Sequence, residues 1–102
     1  MTRAEAKQLI LEACGAGWLP LVDRAFDSLP AGVTITETFQ KYGRLTFRID
    51  PHGHSYEQFL DEINWESANI CEICGAVGSE KIVDGWITAL CDLHTPSGDF
   101  SC

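Results

Sequence analysis

Apolar residues recur along the chain with two periods, and each change of period marks a new element. Near the N-terminus Ala6, Leu9, Ile10 and Ala13 repeat at three- and four-residue steps, the stripe of an amphipathic helix. Thr2-Arg3-Ala4-Glu5 opens it as a capping box, and Gly15 and Gly17 close it. A second helix starts around Trp18-Leu19-Pro20, where the missing proline N–H costs little. Val22, Ala25, Phe26 and Leu29 form its apolar face, Asp23, Arg24, Asp27 and Ser28 lie opposite, and Pro30-Ala31-Gly32 ends it. The short connection makes the two helices an antiparallel pair.

The period then falls to two. Val33, Ile35 and Phe39 are expected on one face of a strand and Thr34, Thr36 and Thr38 on the other. Lys41-Tyr42-Gly43 turns the chain, and Leu45, Phe47 and Ile49 alternate with Arg44, Thr46 and Arg48. This predicts a β-hairpin with one buried and one wet face. Asp50-Pro51-His52-Gly53-His54 reads as a loop, and Ser55-Tyr56-Glu57-Gln58 as a second capping box. A third helix runs to about Asn69, with Tyr56, Phe59, Leu60, Ile63, Ser67 and Ile70 inward. Glu57, Asp61, Glu62 and Glu66 lie on or near its outer face with Trp65. Trp65 is expected to pack on the last hairpin, with a protein-contact role as the alternative.

The last third carries the strongest chemical signal. Cys71-Glu72-Ile73-Cys74-Gly75 and Cys91-Asp92-Leu93-His94 each place two potential ligands with two residues between them. Two such knuckles suit a tetrahedral Zn2+ held by three thiolates and one imidazole. Lys81 to Leu90, with Asp84-Gly85 at its middle, reads as two strands and a tight turn that returns the second knuckle to the first. Four protein ligands close the tetrahedron, so a structural role is expected. Pro96 argues against a long helix after His94, which favours a zinc-ribbon-like hairpin.

The fold class is therefore α+β: two helices, a β-hairpin, a third helix and a C-terminal zinc-ribbon-like hairpin. A single zinc-stabilised domain is expected over residues 1–102, with an α+β core (1–70), a zinc hairpin (71–94) and a flexible tail (95–102). Cys14 reads as a small buried apolar group, and Cys102 as a cysteine without a metal role.

Charge changes the picture of function. Fifteen acidic against seven basic residues give a net charge of −8, and no Lys or Arg lies between Arg48 and Lys81. Such a surface repels phosphate and suits a basic partner. No apolar run reaches the roughly 18 residues of a membrane span. The N-terminus lacks the apolar stretch of a signal peptide, so a cytoplasmic, reducing setting is expected, with thiols free for metal.

Several motifs together resemble a family of small, largely uncharacterised phage- and prophage-encoded zinc-finger proteins. They are Gly17-Trp18 with Leu21-Val22-Asp23-Arg24, Phe39-Gln40-Lys41-Tyr42-Gly43-Arg44-Leu45-Thr46-Phe47, the stretch from Cys71 to Ala76, Gly85-Trp86, and Leu90 to His94. The similarity spans residues 15–94; Pro96-Ser97-Gly98 and the Cys102 tail lie outside it. The resemblance implies a zinc-finger accessory protein without catalytic residues, placed in the host-cell cytoplasm.

Three functions compete. The first is a non-enzymatic protein-interaction module, an acidic inhibitor of a host defence or nucleic-acid-binding protein, whose candidate face is Glu57, Asp61, Glu62, Trp65 and Glu66. The second is a nucleic-acid-binding zinc domain using Lys41, Arg44 and Arg48 with Tyr42 and Phe47. The third is a metal-dependent nuclease, for which Asp50, His52 and His54 precede the Asp92-Leu93-His94 stretch in the wrong order and lack a fixed geometry.

Overall fold

The computed structural model describes residues 1–95. The assigned tail lies outside them except for Thr95, and Cys102 lies outside with it.

Helix α1 spans Arg3–Ala13. Its capping box is formed in both directions: the Thr2 hydroxyl accepts from the Glu5 N–H at 3.1 Å, and the Glu5 carboxylate accepts from the Thr2 N–H at 2.8 Å. Ala6 and Ile10 are buried, whereas Leu9 is exposed, so the inward stripe is narrower than its periodicity suggested. Helix α2 spans Leu19–Asp27, with Pro20 in its first turn and Leu21, Val22 and Ala25 buried.

Strands β1 (Thr34–Lys41) and β2 (Arg44–Asp50) form an antiparallel hairpin. Its turn places both Tyr42 and Gly43 at positive φ, +53° and +77°, the type I′ pattern that suits a two-residue connection. The strict alternation expected for β1 fails at Thr36. Ile35 pairs with Ile49 and Glu37 with Arg48, so Thr36 is the extra residue of a bulge. Beyond it the faces exchange. Thr38 is buried opposite Phe47, and Phe39 turns outward opposite Thr46, with the Arg48 guanidinium 5.3 Å from its ring centre. One inserted residue reverses every later side chain, because the strand period is two.

Helix α3 spans Tyr56–Ser67. The expected Ser55 capping box is absent among the described residues. His54 serves instead, its Nδ1 accepting from the Tyr56 N–H at 3.0 Å. Tyr56, Leu60, Ile63 and Ser67 face inward. The far end of α3 is bound to β2: Ser67 Oγ accepts from the Leu45 N–H at 2.9 Å, and Asn64 Nδ2 donates to the Leu45 carbonyl at 3.0 Å.

Helix α1 packs on β1 and α3 on β2, and α2 touches both helices. They cover one face of the two-stranded sheet, which would be marginal alone. Ile10, Trp18, Val22, Ile35, Leu45 and Ile63 are the large fully buried apolar side chains of this core.

Strands β3 (Ser79–Val83) and β4 (Trp86–Leu90) form the second antiparallel hairpin, with Asp84 and Gly85 at φ +51° and +83° in another type I′ turn. The order of three helices and two hairpins matches the expected α+β class. No helix among the described residues is long and apolar enough to cross a membrane.

Candidate metal centre

The first knuckle is a turn closed by backbone. The Gly75 N–H donates to the Cys71 carbonyl at 2.8 Å, and Gly75 takes φ +84°, a region open to glycine. The Cys71 N–H in turn donates to Ala76 O at 2.8 Å. An isolated bridge between Ile70 and Val77 leads the chain out of this turn towards β3. Strand β4 returns it, and the Glu72 N–H donates to Ala89 O at 2.9 Å, tying the knuckle to the returning strand. The second knuckle is shorter: the His94 N–H reaches Cys91 O at 3.2 Å. Thr95, placed by sequence at the start of the tail, is buried and donates its hydroxyl to the same carbonyl at 2.7 Å.

The four donor atoms of Cys71, Cys74, Cys91 and His94 all lie within 4.8 Å of one another. Cys74 Sγ and Cys91 Sγ are 3.7 Å apart; His94 Nδ1 is 3.6 Å from Cys71 Sγ and 3.2 Å from Cys91 Sγ. A tetrahedral ion with bonds of about 2.3 Å to sulfur and about 2.0 Å to nitrogen needs edges of about 3.8 Å between sulfurs and about 3.5 Å between sulfur and nitrogen. The donor set therefore fits a metal ion, with His94 offering Nδ1. Four protein donors leave no vertex for water, so the arrangement suits holding the fold together better than activating a substrate.

The rest of the chain grips this centre through the loop between α1 and α2. The Gly17 N–H donates to Glu72 O at 2.8 Å, and the indole Nε1 of buried Trp18 donates to Ile70 O at 2.9 Å. Gly17 lies directly on the first knuckle. A Cβ there would penetrate the Cys71 carbonyl oxygen and stand 2.6 Å from the Gly75 nitrogen. Read from sequence as a helix stop, Gly17 is a contact surface without a side chain.

Glu72, inside the first knuckle, is a buried carboxylate. Gln40 Nε2 donates to its carboxylate, and burial raises its pKa despite that bond. Burial also pushes the Cys14 thiol up to about 12, with the nearby Glu72 charge adding to the effect. Cys14, expected as a small buried apolar group, is thus protonated at neutral pH and half-buried against the core. Burial raises the Cys71 thiol too, but the N–H groups of Cys91, Cys74 and Ile73 and the Cys91 side chain outweigh it and bring Cys71 down to about 6. At Cys74 the Ala76 N–H favours the thiolate, while desolvation and the neighbouring Cys91 and Cys71 sulfurs together raise it.

The other candidate residues are distributed less simply. On α3, Asp61 and Glu62 are exposed and form no ion pair among the described residues. Glu66 pairs with Arg24 at 2.7 Å, and Glu57 lies 4.0 Å from His52. Trp65 does not bury itself on the second hairpin; it is 65% exposed, and the Arg44 guanidinium lies 4.3 Å from its ring centre. Arg44 reaches out from β2, covers the indole and pairs with Glu80 of β3 at 3.1 Å, so the arginine spans the gap that the tryptophan was expected to fill. Arg48 pairs with Glu37 at 3.6 Å, and Lys41 forms no ion pair among the described residues. Asp50, His52 and His54 do not assemble into a ligand cluster; among the described residues the only one is Cys71, Cys74, Cys91 and His94.

Comparison with protein-family models, curated proteins and solved structures gives no match to this chain.

Proposed function

We propose that the protein is a non-enzymatic interaction module stabilised by a structural Zn2+, whose partner is a basic or nucleic-acid-handling protein. The observation that carries this reading is the closed Cys3His set, with all four donor atoms within 4.8 Å. Three thiolates and an imidazole in a tetrahedron suit Zn2+, which brings no redox chemistry of its own. A centre of that kind supports a binding surface. Asp61 and Glu62 stand exposed on α3, on a chain of net charge −8, and would meet a basic partner.

The phage-family resemblance extends the proposal to an inhibitor acting in a host cytoplasm, where carboxylates occupy a surface built for phosphates. The nucleic-acid alternative draws less support, because Arg44 and Arg48 are each engaged by a carboxylate and only Lys41 is left. The nuclease reading has no assembled constellation to rest on.

The test is a pull-down from host lysate with zinc-loaded protein. A stoichiometric basic protein should be retained by the wild type and lost by the Asp61→Lys/Glu62→Lys variant, with zinc content and unfolding temperature unchanged. Glu66 is left intact in that variant because it pairs with Arg24. Equal capture by both proteins would contradict the reading.

A further inference from the structure

The second hairpin carries apolar side chains that its own fold does not bury. Trp86 is 76% exposed and Ile82 72% exposed, and Ile82 pairs across the strands with Ile87. Such a two-stranded ribbon gains little from its own faces, and exposed apolar surface of this kind marks contact sites.

Tyr42 points to the same place. It occupies the left-handed region, φ +53°, in the first hairpin's turn and is 72% exposed. Asn, Asp or Gly suits that position of a type I′ turn, whereas a bulky aromatic is strained there. The ring gains little burial in return, so its presence asks for a reason outside the fold.

The two observations meet. A cleft of about 490 Å³ lies between the two turns, lined by Tyr42, Trp86, Gly85 and Ile87. A second, of about 380 Å³, shares Lys41, Tyr42 and Ile87 with it and continues to Arg44 and Glu80. Arg44 in turn stacks on Trp65, one turn along α3 from Asp61. The result is one continuous ledge from Trp86 through Tyr42 to Trp65.

Charge selects the occupant. Arg44 with Glu80 and Lys81 with Asp92 cancel in pairs. Of the remaining charges along the ledge and its ends, Asp61, Glu62 and Asp84 are negative and Lys41 alone is positive, none of them in an ion pair among the described residues. A second copy would bring like charge to like on a chain of net charge −8. Arg44 already stands over the Trp65 ring and the Lys41 ammonium 5.7 Å from the Tyr42 ring centre, whereas among the described residues no cation lies over Trp86. An open tryptophan face attracts Lys and Arg side chains, and tryptophan and tyrosine are the residue types that anchor protein contacts.

We infer that the ledge formed by Trp86, Tyr42 and Trp65 is the docking surface for a protein segment that presents Lys or Arg beside an aromatic or aliphatic anchor. The inference rests on the interaction reading above and deepens it: two anchors, Tyr42 and Trp86, sit on the hairpins and the third, Trp65, on α3, whose acids flank it.

The test uses the full zinc-loaded chain and an array of synthetic peptides graded in net charge and aromatic content. Retained peptides should combine Lys or Arg with an aromatic or aliphatic neighbour. Trp86→Ser and Tyr42→Asn should each lower retention at least tenfold. Tyr42→Asn should do so while unfolding at an equal or higher temperature, a combination that a structural role for the tyrosine would not produce. Retention indifferent to both variants, or selection of acidic peptides, would overturn the inference. So would a concentration-dependent dimer abolished by Trp86→Ser, which gives the face to a second copy, or a single-stranded oligonucleotide displacing the peptides. Loss confined to Asp61→Lys/Glu62→Lys, or a folded protein that retains no peptide, would overturn this assignment; the interaction reading falls separately, if the lysate pull-down captures no basic protein.

Discussion

At Gly17 a missing methyl group decides whether two parts of the molecule can meet. The first knuckle's backbone fills the space where a Cβ would go, and neither Cys71 O nor Gly75 N can swing aside as a side chain would. Gly17→Ala should therefore cost more than about 2 kcal/mol in urea unfolding, since backbone overlap belongs to the severe class of substitution; a change within error would mean that the loop does not grip the knuckle. Thr38 presents the opposite case. The bulge turns it inward, where its hydroxyl finds no hydrogen-bond partner among the described residues. Thr38→Val should stabilise the fold by about 1 kcal/mol by removing an unpaired buried polar group; destabilisation would show that the hydroxyl is satisfied after all. Tyr56 donates its hydroxyl to Ala25 O, and burial, with the Asp27 charge, raises its pKa above 10.0. The folded state thus holds its proton more tightly than the unfolded state does. Its contribution is full below the ordinary tyrosine range and is lost as the pH rises through the folded value. Unfolding measured from neutral to strongly alkaline pH should show this loss in the wild type and a shallower decline in Tyr56→Phe.

At the scale of elements, the chain's local signals and its long-range contacts divide the outcome between them. The α1 capping box, the α2 proline, both hairpins and the two knuckles were legible because each depends on residues a few positions apart. The bulge at Thr36 was not, since every residue from Val33 to Phe39 fits a regular strand and only the pairing with β2 reveals the extra one. Nor was the burial of Glu72, whose partner Gln40 is 32 residues away, or the role of Trp18, whose indole bonds a carbonyl 52 residues away. Trp65 was misplaced for a related reason. Periodicity puts it on the outer side of α3 but is blind to Arg44, which arrives from another element to cover it. The cap on α3 came from His54 because its ring nitrogen reaches the Tyr56 N–H, a role that a motif search for Ser and Thr passes over.

The whole molecule is two hairpins joined through the Cys71 and Cys91 knuckles and a glycine loop. The helices cover the first hairpin, whereas the second relies on the knuckles and leaves Trp86 and Ile82 in water. Chelation of the metal should therefore release the second hairpin more than the first. Hydrogen exchange should show protection falling in β3 and β4 while the Leu45 amide, bound by Ser67, stays protected. Uniform loss of protection would mean that the metal holds the whole chain in one cooperative unit. The same logic governs the thiols. In the metal-loaded protein Cys14 should resist alkylation at pH 8, since its pKa near 12 keeps it protonated and burial shields it.

Cobalt substitution reads the centre itself. The chain should bind one Co2+ and give the intense visible absorption of a tetrahedral thiolate site, displaced by a stoichiometric amount of Zn2+. Cys14→Ser should leave that spectrum unchanged, and Cys74→Ser should weaken and alter it. A weak octahedral spectrum, sub-stoichiometric binding, or a spectrum indifferent to Cys74→Ser would contradict a closed metal centre at Cys71, Cys74, Cys91 and His94.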